Sequence, residues 1–194
     1  MDEPRPASFW ARLLRLVDDE LAEPHELVIV GGAAIGLNYA STHLTSDIDS
    51  VTSTRDRALW QAIDRACKKV QEREGLRRPP QVGCIGVAFE PPEDWERRRR
   101  KVPLSLRRLR VYVPERHDLA LSKVSRGLSR DFAAVRSMHD QTPLRLHTLV
   151  ERYEEPRLVR VGDNRRFKAN FLALVAELFG EPAAERVEPR LRSD

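Results

Sequence analysis

The first half of the chain alternates between long segments of helical spacing and short apolar runs. Apolar side chains recur every three or four residues over 7–22, which predicts an amphipathic helix. The next apolar run, residues 27–30, is rich in β-branched residues and is ended by Gly31-Gly32, so it predicts a buried strand. Beyond it we expect a short helix over 33–40, a strand over 47–52, a helix over 55–74, and strands over 81–89 and 109–113.

The second half of the chain is predicted to be helical. Apolar positions keep helical spacing from residue 118 to residue 179 and are divided by turn residues into four helices, the last of which ends at Gly180. The polar residues 183–194 predict a flexible tail. We therefore predict an α/β (α+β) fold in which residues 1–115 form a mixed sheet flanked by helices and residues 116–182 form a C-terminal helical region.

Composition narrows the class of protein. The 194 residues are 41% hydrophobic, enough for a core, and the net charge of +4 permits a nucleic-acid or nucleotide partner without requiring one. The two cysteines match no metal or redox spacing, so we expect reduced thiols. No apolar stretch is long enough for a membrane span, and the first ten residues lack the pattern of a signal peptide. We expect a cytoplasmic protein without a membrane partner.

Two aspartates lie on the predicted strand over 47–52. Residues i and i+2 of a strand point to the same face, so Asp47 and Asp49 would project together while Ile48 turns inward. Two close carboxylates repel each other unless a cation binds them, and oxygen ligands suit Mg²⁺ or Mn²⁺. The upstream Gly31-Gly32 turn precedes a helix start, where bare backbone N–H groups can meet a phosphate. An isolated pair of acids or glycines is common by chance, but this order predicts a nucleotide site.

The order of these residues resembles a known signature. Gly31-Gly32-Ala33, a short helix, and then the segment Thr45–Asp49 resemble the nucleotidyltransferase superfamily, which has the DNA polymerase β-like fold. Its signature is a Gly-Gly or Gly-Ser turn followed by a strand that carries two aspartates.

A second stretch, residues 111–135, resembles one branch of that superfamily. Small AbiEii-like and MenT-like nucleotidyltransferases have an extended segment here that leads to an acidic residue, a lysine, and then an Arg-Asp pair on a helix. The matching positions in this chain are Asp118, Leu119, Lys123, Arg130 and Asp131.

The resemblance implies a reaction. Asp47 and Asp49 would hold the metal and, with Lys123 and Asp131, form the catalytic set. Phosphates of a nucleoside triphosphate would contact the Gly31-Gly32 turn, the Ser46 hydroxyl and the Lys123 ammonium group. An acceptor hydroxyl would attack the α-phosphorus, and pyrophosphate would leave.

The resemblance also implies partners. The acceptor would be the 3′ end of a tRNA or other RNA, or a protein side chain. By analogy alone, the protein would be the toxin of a toxin–antitoxin pair with a cognate antitoxin as its partner.

One departure from the superfamily leaves an alternative open. A third carboxylate usually lies on a later strand, but residues 109–113 contain none, which leaves Glu90 or Asp131 for that role. Asp131 can equally pair with Arg130 or Arg126, and Lys123 can be a solvated lysine of an amphipathic helix. If neither acid reaches the site, we expect a weakly active or inactive module that binds nucleotide, RNA or a protein partner.

The basic run over residues 95–110 allows two interpretations. It can be a solvated loop with an edge strand that charge protects from pairing. It can also be a contact surface for RNA phosphates, with Trp95 stacking on a base.

Overall fold

A computed structural model of the chain describes residues 3–85, 91–156 and 164–191. The chain divides into two compact units, one comprising Met1–Gly86 with Arg100–Val113 and the other comprising Val87–Arg99 with Pro114–Asp194. Each unit combines elements that are separated in the sequence. The predicted α/β class is confirmed, because the described residues form helices and one mixed sheet.

The first unit contains the sheet and three helices. Its helices are α1 (Ala7–Glu20), α2 (Gly31–Asn38) and α3 (Arg57–Glu74), and its strands are β1 (His25–Val30), β2 (Asp47–Ser50), β3 (Gln81–Cys84), β4 (Arg100–Lys101) and β5 (Leu109–Val113).

The helices α1 and α3 form because each carries an apolar stripe that the fold buries. Trp10, Leu13 and Leu14 of α1 are fully buried, and α1 packs against α3. The Asp56 side chain accepts a hydrogen bond from the backbone N–H of Leu59 and caps α3. At its other end Gly75 has a φ of 61°, the left-handed conformation that favours glycine.

The sheet of the described residues has the strand order β3-β2-β1-β5-β4. The central strand β1 pairs in parallel with β5 and antiparallel with β2, while β2 and β3 are parallel. The register sets Val30, the last residue of β1, opposite Asp49. This pairing brings the end of β1, and with it the glycine turn, beside the acidic strand.

A buried carboxylate ties α1 to the segment that enters β5. Asp18 is 4% exposed, and its oxygens accept hydrogen bonds from three consecutive backbone N–H groups, residues 107–109, at 2.6–2.9 Å. Burial raises the pKa of Asp18, but these hydrogen bonds outweigh it and hold the pKa below its ordinary value. A single carboxylate thus satisfies three consecutive backbone donors where the chain enters β5.

The second unit is helical. Its helices are α4 (Trp95–Arg98), α5 (Arg116–Arg126), α6 (Ser129–Gln141), α7 (Leu146–Glu154), α8 (Asn164–Phe179) and α9 (Glu181–Val187), followed by a 3₁₀ turn over Glu188–Arg190.

Two buried polar groups organise the second unit around the start of α5. Asp118, fully buried, accepts two hydrogen bonds of 2.9 Å from the Arg98 guanidinium, which also contacts Glu155. His117 lies against the Glu115 carboxylate at 2.9 Å through Nδ1, while its Nε2 accepts the backbone N–H of Arg145. These contacts fix the His117 tautomer with its proton on Nδ1.

The structure differs from the sequence predictions at several places. Helix α4 was not predicted, and the edge strand offered as one interpretation of residues 95–110 is the two-residue strand β4. The strand expected over 81–89 is β3 only to Cys84, and residues 86–89 lie outside the described residues. Residues 183–187, expected in a flexible tail, belong to α9, in which Ala183, Ala184 and Val187 are buried.

Candidate active site

The paired aspartates lie on β2 on the face opposite its buried side chains. Ile48 and Ser50 are 0% exposed, whereas Asp47 is exposed and Asp49 is half-buried. The alternation of a strand therefore places the two carboxylates on one face, as the sequence indicated. Their accessibility leaves room for a ligand on that face.

Ser50 fixes β2 against β1 from the buried face. Its hydroxyl donates to the carbonyl of Val28 at 2.9 Å and accepts the backbone N–H of Thr52 at 3.0 Å. The Thr52 hydroxyl in turn accepts the backbone N–H of Val28 at 2.8 Å. These bonds hold the acidic strand in register, a role that sequence reasoning did not assign to Ser50 or Thr52.

The Gly31 turn lies close to one of the two acids, Asp49. Gly31 has a φ of 68°, and a Cβ placed on it would lie 3.0 Å from Oδ2 of Asp49. Only a residue without a side chain lets the chain turn here while the carboxylate approaches the backbone so closely. Helix α2 begins at Gly31, so the N–H groups of its first turn lack partners within the helix.

Gly32 is equally constrained by residues that precede β2. A Cβ on Gly32 would lie 2.8 Å from Oγ1 of Thr45 and 3.3 Å from Nε2 of His43. The Thr45 hydroxyl also lies 3.3 Å from Oδ1 of Asp47. Thr45 and His43 are therefore site residues that the sequence analysis missed. The position of Thr45 beside the acidic motif was an available signal, but nothing in the sequence pointed to His43.

Ser46 lies in the wall of a pocket. It is half-buried and lines a pocket of about 620 Å³ together with α1 and the residues that lead into β3. Its predicted contact with a nucleotide phosphate stays a prediction.

The donor set of the acidic pair suits a hard divalent cation. Asp47 and Asp49 offer carboxylate oxygens, and Mg²⁺ is commonly held by one or two carboxylates with phosphates and water as its other ligands. Among the described residues, no group of three or more His, Cys, Asp or Glu side chains is placed to hold a metal. Glu90, one of the two predicted sources of a third carboxylate, lies outside the described residues.

Lys123 and Asp131 lie together in the second unit. Lys123 Nζ is 3.4 Å from Asp131 Oδ1, and the Arg126 guanidinium approaches the same oxygen at 2.6 Å. The side chains of Lys123 and Asp131 are 10% and 1% exposed, so Lys123 is not a solvated surface lysine. Of the two interpretations of Asp131, the ion pair with Arg126 is present. Its second oxygen, Oδ2, has no hydrogen-bond partner among the described residues.

The loop between α5 and α6 contains a glycine that lets the chain reverse direction beside this cluster. Gly127 has a φ of 63°, and a Cβ on it would lie 2.0 Å from Nδ2 of Asn170, which donates to the carbonyl of Val124 at 3.0 Å. The chain can therefore bend back from α5 to α6 only at a glycine. This bend brings Asp131 beside Lys123.

The basic run does not form one exposed surface. Trp95 is 5% exposed, so the expectation that it stacks on a base is wrong. Arg98 is ion-paired within its own unit with Asp118, which is buried, and with Glu155, which is half-buried. Arg100 and Lys101 form β4 at the edge of the sheet and are exposed, as an edge strand protected by charge requires.

A mixed sheet, a glycine turn after its central strand and an adjacent strand with two carboxylates define the class of nucleotidyltransferases. The chain belongs to the family described as nucleotidyltransferase of unknown function (DUF6036), whose model matches residues 11–174. No curated protein and no solved structure matches the chain. In the described part of the chain, no helix is both long and apolar enough to cross a membrane. Membership of this family places the chain in the nucleotidyltransferase superfamily. Its assignment to the AbiEii-like or MenT-like branch stays a prediction.

Proposed function

We propose that this protein transfers a nucleoside monophosphate from a nucleoside triphosphate to an acceptor hydroxyl, with Mg²⁺ or Mn²⁺ as its cofactor. One observation carries the proposal: a Cβ on Gly31 would lie only 3.0 Å from Oδ2 of Asp49, so a phosphate at the turn would lie close to the acidic pair. Membership of a nucleotidyltransferase family supports the same reaction class.

Each group of the first unit would have a distinct task. Asp47 and Asp49 would hold the metal, which supplies charge stabilisation to the phosphates when bound. The N–H groups of Gly31 and Gly32 would donate to phosphate oxygens, and the helix dipole of α2 favours negative charge there. The Ser46 hydroxyl would add a further contact. Thr45 beside Asp47 would orient that carboxylate.

The bond changes follow from this placement. An acceptor oxygen attacks the α-phosphorus, the bond from that phosphorus to the bridging oxygen breaks, and pyrophosphate leaves. The proton of the acceptor hydroxyl passes to water. Because the transition state spreads charge over phosphate oxygens, donors fixed before the reaction lower its barrier.

In the second unit, Lys123 would neutralise phosphate charge. Asp131 would position its ammonium group, to which it is ion-paired, rather than ligate the metal. Arg126 at the same carboxylate keeps the cluster positive overall. A phosphate group would complement that excess of positive charge.

The finer parts of the proposal rest on the second motif, residues 111–135. Its resemblance to AbiEii-like and MenT-like enzymes supports the 3′ end of a tRNA or other RNA as the acceptor, with a protein side chain as the other choice. The same resemblance supports a cytoplasmic toxin that is paired with an antitoxin.

A second function is favoured by one observation. Among the described residues the acidic pair has no third carboxylate beside it. A module that binds nucleotide, RNA or a protein partner with little or no turnover would need only the pair and the glycine turn.

Transfer of label tests the proposal. Purified protein is incubated with each α-³²P-labelled nucleoside triphosphate, Mg²⁺ or Mn²⁺, and total RNA or total protein. The double variant Asp47→Ala/Asp49→Ala should lose transfer. The matched control Asp19→Ala/Asp64→Ala removes two exposed acids of the same unit and should retain transfer. If the folded wild type transfers no label from any nucleotide but binds one in a metal-dependent way, the binding module is the function.

A further inference from the structure

The pocket beside Ser46 is built entirely from the first unit, and neither Asp47 nor Asp49 lines it. It measures about 620 Å³, within the range of small-ligand sites. The start of α1, the end of α3 and the segment leading into β3 enclose it. We call it the Arg77 pocket, after the residue at its rim. The side chains that matter for its chemistry are Arg5, Trp10, Ser46, Arg77, Arg78 and Gln81.

The Arg77 pocket is positively charged. Arg5, Arg77 and Arg78 line it, against one carboxylate, that of Glu3. Glu3 pairs with Arg5 at 3.3 Å, so the charge of Arg77 and Arg78 is left uncompensated by the lining. Both residues are exposed. Two adjacent guanidinium groups present a fork of donors that matches phosphate oxygens.

Trp10 forms part of the apolar wall of the pocket. It is 1% exposed, and its Nε1 is buried without a hydrogen-bond partner among the described residues. The indole N–H therefore lies close enough to the pocket to report a change there, while the exposed arginines provide the contacts to a ligand.

The pocket also lies at the end of β2 where the acidic pair begins. Ser46, in its wall, immediately precedes Asp47, and Gln81, also in its wall, is the β-sheet partner of Asp47. A nucleotide bound in the pocket would therefore lie at the end of β2 where the acidic pair begins. A transfer enzyme needs a place for its second substrate close to the metal-binding acids.

We propose that the Arg77 pocket binds a nucleoside phosphate as the second substrate, either a free nucleotide or the terminal nucleotide of a single-stranded RNA. The phosphate contacts Arg77 and Arg78, and the ligand lies against the wall that Trp10 forms. Calling this ligand the acceptor rests on the proposed function. The binding itself does not.

The three tryptophans give a direct measurement, because each contributes one indole N–H resonance in a ¹H–¹⁵N spectrum. The protein is titrated without divalent metal with inorganic phosphate, with AMP and with a short single-stranded RNA. The Trp10 resonance should shift, while those of Trp60 and Trp95, which do not line the pocket, should stay. A shift with AMP identifies a free nucleotide, and a shift with the RNA alone identifies a strand.

Charge variants test the role of the arginines. Arg77→Ala/Arg78→Ala should weaken binding about tenfold or more. If RNA is the ligand, the variant should also lower the slope of log affinity against log salt by about 1.4. The matched control Arg100→Ala/Lys101→Ala removes two exposed cations from β4, at the opposite edge of the sheet, and should bind within about twofold of wild type.

Three results would overturn the inference. The first is a Trp10 resonance that moves with none of the three probes. The second is an equal loss of affinity in both double variants, which would mean non-specific attraction. The third is an acidic peptide that shifts Trp10 as strongly as AMP and the RNA do, which would assign the pocket to a protein ligand.

The pocket and the proposed function fail separately. Binding in the Arg77 pocket should survive Asp47→Ala/Asp49→Ala, because those side chains do not line it. A Trp10 shift without any label transfer supports the pocket and contradicts the transfer reaction. Label transfer without a Trp10 shift supports the transfer reaction and contradicts the pocket.

Discussion

Gly31→Ala is the sharpest test of the proposed site, because one methyl group would act on both the backbone and Asp49. The glycine has a φ of 68°, where an L-residue costs roughly 1–2 kcal/mol. The new Cβ would lie 3.0 Å from Oδ2 of Asp49, so the carboxylate must shift by a few tenths of an ångström. Such a displacement at a reacting centre should reduce transfer by about tenfold to a hundredfold.

Gly75→Ala is the control that separates the two effects. Gly75 has nearly the same φ, 61°, and lines the Arg77 pocket, but a Cβ on it meets nothing within 4 Å, so the added methyl group should leave the other lining side chains in place. Both variants should lose about 1 kcal/mol of unfolding free energy, since the restricted unfolded chain offsets part of the strain. Only Gly31→Ala should lose transfer and metal-dependent nucleotide binding.

The measurements are urea unfolding followed by circular dichroism, and label transfer from the α-³²P nucleotide. Nucleotide affinity in the presence of Mn²⁺ gives a readout that does not depend on turnover. If Gly31→Ala transfers label and binds nucleotide as well as Gly75→Ala does, the contact between the turn and Asp49 has no part in the site. The proposed function would then lose its main support.

Two further predictions concern the first unit. Asp18→Asn should cost about 3 kcal/mol of unfolding free energy, because three backbone N–H groups lose a charged acceptor. The control Asp19→Asn removes only an exposed ion pair and should cost less than about 1 kcal/mol. Since the pKa of Asp18 is lowered in the folded state, its stabilisation is complete above the ordinary value near 3.8 and is lost as the pH falls below it. Urea unfolding from pH 6 to pH 2.5 should therefore show the gap between wild type and Asp18→Asn closing, and a constant gap would contradict the assignment. The second prediction concerns the thiols: burial, and to a lesser degree the Asp64 charge, raise the pKa of Cys67 to about 12. At pH 8 a thiol reagent should therefore label the exposed Cys84 quickly, and should label Cys67 only when the protein unfolds. Fast labelling of both thiols in the native protein would show that α3 opens readily.

The parts of the fold that the sequence predicted are those governed by local periodicity. The spacing of Trp10, Leu13 and Leu14 specifies α1, and the alternation around Ile48 places Asp47 and Asp49 on one face. The glycine turn was recognised for the same reason, since its conformation is decided by two adjacent residues.

The parts that the sequence did not predict depend on contacts between distant segments. One of the two interpretations of the basic run had Trp95 stacking on a base, yet Trp95 is buried. The two-residue strand β4 exists only because β5 pairs with it. His43 joins the site through the packing of Gly32, which no spacing rule reveals.

Asp131 shows how one residue can carry two predictions. Its position in the first turn of α6 agreed with a structural acid, and its match to the second motif agreed with a catalytic one. The structure gives it Arg126 and Lys123 as partners, so the ion pair with Arg126 and the proposed positioning of Lys123 involve the same carboxylate. Sequence spacing alone could not distinguish these roles, because Gly127 and its neighbour Asn170 determine how α6 folds back.

The division of the chain into interleaved units has a consequence for synthesis. The parallel pairing of β1 with β5 joins residues that leave the ribosome far apart in time, and residues 87–99 of the second unit are made between them. Until β5 has been synthesised, β1 therefore lacks its parallel neighbour on one side. Arg98 likewise leaves the ribosome before its partner Asp118 has been translated. Residues 1–115 contain every segment of the first unit, but residues 116–194 lack residues 87–99 of the second unit. Cutting the chain near residue 115 would therefore separate Arg98 from Asp118 and leave the second unit incomplete.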